Sequence, residues 1–222
     1  MSAGAAAESE AERSLLRTEE LRRRAERLEE RAEKFAAGAV GEHLVAQTLR
    51  RLESVGYRVI DDIRWPGTTK ANIDHVLYGP TGMFVVDAKN WTGTITVKAG
   101  VLRQNGYSRV RETDKVSQMT DALQTHLGPS VGSLTPVLCL AGQNDIDAAR
   151  CGRTLVVGLD RLAPWIFRQR EIWPSSHLEG LAAWLPHVLE PASTRGDATI
   201  APDGPQHTPV TEPERRGRHQ SD

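Results

Sequence analysis

The chain is expected to fold as an α/β protein: a central sheet flanked by helices, with a long helix before it and a disordered tail after it. Three observations carry that expectation. "TPVLCLA" and "TLVVGL" are short apolar runs bounded by turn residues, the pattern of strands buried on both faces. Val116, Met119, Leu123 and Leu127 recur at helical spacing, as in a helix that covers such a sheet. Residues 8–37 hold neither Gly nor Pro and are dominated by Ala, Glu, Arg and Leu, which are strong helix formers.

That opening helix is supported by Glu19 with Arg23, Glu20 with Arg24 and Glu30 with Lys34, acid-before-base pairs one turn apart. Leu21, Ala25, Leu28, Ala32 and Phe35 form a narrow apolar stripe along it. The stripe suits either a coiled coil, which would make a homodimer through this helix, or a solvated helix laid along its own domain. Only Leu21, Leu28 and Phe35 are large, which favours the second. Gly38 and Gly41 are read as punctuation before a separate helix in which Val45, Leu49 and Leu52 share a face and Gly56 is the stop. Glu42 lies one turn before Val45, at the edge of that face.

"YRVIDDIRW" reads as a strand, "PGTTKA" as a loop and "ANIDHVLYGPTGMFVVDAKN" as a hairpin. "TGTITV" alternates like a strand, and "GVLRQNGYSRVRET" reads as a further hairpin or loop. After the helix between Lys115 and Leu127 and the two apolar strands, helical segments follow around "DRLAPWIFRQR" and "SSHLEGLAAWLPHVLE". From Pro191 onward Pro, Gly, Thr and charge dominate, the composition of a disordered segment. The expected division is a charged helix over 1–37, a domain over 38–190 and a tail over 191–222.

Composition narrows the function. A length of 222 residues suits one ordinary domain plus appendages, and 39% apolar with 26% charged residues describes a soluble chain. The formal net charge of -1 means that any nucleic-acid surface must be local. Cys139 and Cys151 lie outside any C-x-x-C spacing, which argues against structural zinc. No run is apolar for the ~18 residues of a membrane span, and "MSAGAAAESEAERSLLRTEE" lacks the marks of a signal peptide, so the expected compartment is the cytoplasm, with no membrane partner. There is no P-loop, no G-x-G-x-x-G and no G-x-S-x-G, so nucleotide hydrolysis, dinucleotide binding and serine esterase chemistry lack support.

The chemistry gathers in the hairpin. Gly79, Pro80 and Gly82 centre a turn that pairs Tyr78 with Met83, Val76 with Val85, and Asp74 with Asp87. Like charges directly opposite each other are destabilising. Lys89, two residues past Asp87, shares its face. Two carboxylates beside a lysine suit a metal-dependent phosphodiesterase: Asp74 and Asp87 would hold Mg²⁺ or Mn²⁺, with the Ala88 carbonyl as a further donor, and Lys89 would orient the attacking water. A plain salt bridge between Asp87 and Lys89 is the competing reading, and from the residues alone the two are almost level. His75 faces away from Asp74, and His43 points about 100° from Glu42. Trp91 suits base stacking or packing at the sheet edge.

The order "GEHLVAQTL", then "ANIDHVLYGPTGMFVVDAKNWTG", then a helix containing Gln118, resembles the nuclease-related domain (NERD) family, a branch of the PD-(D/E)xK nuclease superfamily. The resemblance spans about residues 38–159. It implies a restriction-endonuclease-like mixed central sheet and a nuclease constellation on Glu42, Asp74, Asp87 and Lys89, with Gln118 as a further polar member. It implies nucleic acid, DNA foremost, as the partner, and Mg²⁺ or Mn²⁺ as the cofactor. A catalytically inactive nucleic-acid-binding or assembly module is the alternative.

Overall fold

The computed structural model describes residues 3–68, 71–189 and 191–192. Helix α1 (Ala3–Arg50) and a 3-10 turn (Arg51–Val55) lead into strands β1 (Arg58–Arg64), β2 (Asn72–Gly79) and β3 (Gly82–Lys89). A small three-stranded sheet follows, β4 (Ile95–Lys98), β5 (Val101–Gln104) and β6 (Tyr107–Ser108), then α2 (Val110–Leu127). The chain closes with β7 (Leu134–Leu140), β8 (Ala149–Cys151), β9 (Thr154–Gly158), α3 (Leu159–Phe167) and α4 (Ser175–Val188). No helix among the described residues is long and apolar enough to cross a membrane.

The main sheet has the order β1-β2-β3-β7-β9-β8 and is mixed. β1, β2 and β3 form an antiparallel meander, whereas β3, β7 and β9 run parallel. Both faces are covered. On one, Val76, Val85, Leu138 and Val156 meet Val116, Met119 and Leu123 of α2 and Leu181 and Leu185 of α4. On the other, Leu77, Phe84, Val86 and Val157 meet Val45 and Leu49 of α1 and Leu162 and Ile166 of α3. Burial on both faces explains why β7 and β9 read as continuous apolar runs.

Several expectations need correction. α1 does not stop at Gly38 or Gly41 but runs unbroken into the domain. A mid-helix glycine costs only about 0.5–1 kcal/mol relative to alanine, so neither one can end a helix whose next turns bury Val45 and Leu49. Gly41 is required for another reason: a Cβ there would come within 2.7 Å of Asn90 Cβ. Nor does the apolar stripe pack on the domain, because Leu21, Leu28 and Phe35 are exposed. Of its expected pairs, Glu19 and Arg23 close at 3.3 Å. α2 begins at Val110, ahead of the expected Lys115. β8 was not expected, being too short to show a pattern. Gly56, in the left-handed region at φ 91°, does end the 3-10 turn after α1. Of the expected tail, Pro191 bridges to Ile63, and residues 193–222 lie outside the described residues.

Candidate functional site

The site forms where β2 and β3 part. Their register runs from Gly79↔Gly82 through Tyr78↔Met83 to His75↔Val86. Carried one step further, that register sets Asp74 opposite Asp87, and the Asp87 charge acts on Asp74. The pairing itself ends at His75↔Val86, and Ala88 N–H of β3 donates to Asp74 Oδ2 at 2.8 Å. β3 meanwhile continues alongside β7 as far as Lys89↔Leu140. The acidic pair and the lysine therefore sit at the carboxyl end of a parallel strand, the usual position of ligands in such sheets.

Asp87 is 3% exposed, and its Oδ2 forms an ion pair with Lys89 Nζ. Lys89 Nζ also donates to the Ala88 carbonyl at 3.4 Å. Burial pushes the Asp74 carboxyl up to about 6, helped by the neighbouring Asp87 charge and slightly by Glu42; the Ala88 hydrogen bond and Lys89 oppose it. For Lys89, burial would lower the pKa, but the charge and hydrogen bond of Asp87, with Asp74 and Glu112, outweigh it and hold the ammonium above its usual value. Lys89 is thus a fixed cation and not a base.

These groups open into a cavity of about 980 Å³ lined by Glu42, Asp74, Asp87 and Lys89 together with residues the sequence did not single out. α1 contributes Glu30, Glu33 and Lys34, and the N-terminal end of α2 contributes Arg109 and Lys115. Asn90 Nδ2 ties this wall together by donating to Ala37 O at 2.9 Å. Trp91 packs against the core and lines the cavity as well, with the Arg109 guanidinium 5.4 Å from its ring centroid. Gln118 does not join: it is exposed and lies a turn beyond Lys115, outside the lining. His75 faces the other way, buried, with Nδ1 2.8 Å from Asp61 Oδ1. His43 is exposed and bonds Gln47 at 2.9 Å. Cation–π stacking of Arg109 has no signature in spacing, so only its place just ahead of a helix could have flagged it.

Two observations bear on a divalent cation. The donor set is two hard carboxylates, the type that Mg²⁺ and Mn²⁺ take, and the two stand close enough that the Asp87 charge adds to burial in raising Asp74. The residues present fit such an ion. Among the described residues, no group of three or more His, Cys, Asp or Glu is arranged to hold one, so backbone carbonyl and water would complete the shell.

Residues 37–141 match the family model described as nuclease-related domain. No curated protein and no solved structure matches the chain.

Proposed function

Since residues 37–141 match the nuclease-related domain family model, we propose that this protein hydrolyses phosphodiester bonds of nucleic acid in the cytoplasm, with DNA as the favoured substrate and Mg²⁺ or Mn²⁺ held between Asp74 and Asp87. The observation that carries the reading is the placement of Asp74, Asp87 and Lys89 together at the carboxyl end of β3, inside a cavity. When bound, the ion supplies Lewis-acid polarisation of the phosphoryl group and a more acidic water.

The chain's own groups do the rest. Lys89, held protonated, steers the attacking water and offsets charge that grows on the phosphoryl oxygens. Glu42, which lines the same cavity from α1, receives the proton that the water gives up. Lys34, Arg109 and Lys115, cations of the cavity lining, seat the flanking phosphates. Trp91, under Arg109, offers a flat face to a base.

One observation favours a second reading, binding without cleavage: the absence of a third acidic or imidazole ligand among the described residues. Incubation with plasmid, linear and single-stranded substrates, with divalent ions and with chelator, separates the two. Ion-dependent cleavage supports the first; retention of DNA without cleavage supports the second.

A further inference from the structure

α1 presents its sides in an unusual order. Thr18, Leu21, Ala25, Leu28, Ala32 and Phe35 fall on one side of the helix at about 100° per residue, and Leu21, Leu28 and Phe35 are 58%, 57% and 66% exposed. Glu30, Glu33, Lys34 and Ala37, which line the cavity, fall on the opposite side. The helix thus turns its polar side to its own domain and its apolar stripe outward. A helix that packs on its own sheet does the reverse.

We propose that this stripe is the contact surface for the same helix of a second copy of the chain, packed antiparallel. The spacing alternates three and four residues, that of a coiled-coil seam. Small residues (Thr18, Ala25, Ala32) occupy one seam position, and large ones (Leu21, Leu28, Phe35) occupy the other. In the antiparallel register Ala25 meets Leu28 of the second copy, Ala32 meets Leu21 and Thr18 meets Phe35. Every layer then joins a small side chain to a large one, so the helices stay evenly spaced and the layers interdigitate. A parallel pair would stack Ala on Ala and Leu on Leu, alternately leaving gaps and crowding.

Charge is balanced in the antiparallel pair. Two-fold symmetry sets Arg22 beside Glu29 of the second copy twice over. It also brings Arg24 toward Arg31, whose guanidinium lies 5.4 Å from its own Phe35 ring centroid. A parallel pair likewise carries equal numbers of matched and mismatched charges, so side-chain size selects the orientation. Because the seam lies opposite the cavity wall, pairing leaves both cavities open. The proposal does not depend on the nuclease reading.

The test is the mass of the full chain by light scattering at tens of micromolar. The expected value is about 49 kDa, twice the chain's 24.4 kDa. Leu21→Glu with Leu28→Glu, both on the exposed segment, should return it to 24.4 kDa without lowering the melting temperature of the domain. Orientation is read by oxidative cross-linking, to which Cys139 and Cys151, both buried, do not contribute. A mixture of Ala25→Cys and Leu28→Cys chains should cross-link, and neither alone should. A monomeric wild type, a dimer that survives both glutamates, or Ala25→Cys chains that cross-link to themselves would overturn the proposal.

Discussion

Replacing Asp74 by Asn should make the metal-free protein more stable. Asp74 sits partly buried beside Asp87, and its carboxyl is raised from 3.8 to about 6. Its proton is therefore held more tightly in the folded chain than in the unfolded one. The stability linked to that proton is fully present below 3.8, declines as pH rises and is gone above about 6. Holding the charged form at neutral pH costs about 3 kcal/mol, at ~1.4 kcal/mol per tenfold change in proton affinity. Asn removes the charge and still accepts from Ala88 N–H, so little else is lost. In chelator at pH 7.5 Asp74→Asn should melt above the wild type by up to about 6–12 °C for a chain of this size, and near pH 4 the gap should close. With ion at about 100 times Kd the wild type should regain about 2.7 kcal/mol and the variant much less. Differential scanning calorimetry across pH 4–8 reads all of this. A variant that melts well below the wild type in chelator, or a gap that ignores pH, would refute the reasoning and make Asp74 a structural hydrogen-bonding group.

The two glycines of α1 should respond in opposite directions to alanine. Gly38 has nothing within 4 Å of an added Cβ, so Gly38→Ala should gain about 0.5–1 kcal/mol. Gly41→Ala should melt lower, because overpacking against Asn90 costs about 1–3 kcal/mol and outweighs the helix gain; it should also slow cleavage by shifting Glu42. A chain that begins at Gly38 should still fold, since Val45 and Leu49 remain. It should lose about 0.5–1.5 kcal/mol with the Asn90 bond to Ala37, and circular dichroism with thermal melting checks both points.

The hairpin was legible in the sequence because its turn residues allow one register, and that register alone carries Asp74 to Asp87. The α2 face was legible through Val116, Met119, Leu123 and Leu127, and β7 and β9 through uninterrupted apolar runs. The continuity of α1 was not, because the reason for Gly41 is a neighbour 49 positions away, which no local pattern displays. Glu30, Glu33 and Lys34 looked like solvated charges; they line the cavity only because that helix continues past both glycines. Gln118 shows the converse: family resemblance placed it in the site, yet α2 carries it a turn beyond, and Arg109 and Lys115 stand at the cavity instead.

The central claim is that Asp74, Asp87 and Lys89 form one working site. The most direct measurement is the initial rate of plasmid cleavage by wild type and Lys89→Ala at saturating Mg²⁺ or Mn²⁺, each repeated in chelator. The account predicts cleavage by the wild type that chelator abolishes, and a Lys89→Ala protein with an unchanged melting temperature that is slower by about 10²–10³-fold. Cleavage at the wild-type rate by Lys89→Ala, or cleavage by either protein that persists in chelator, would contradict it.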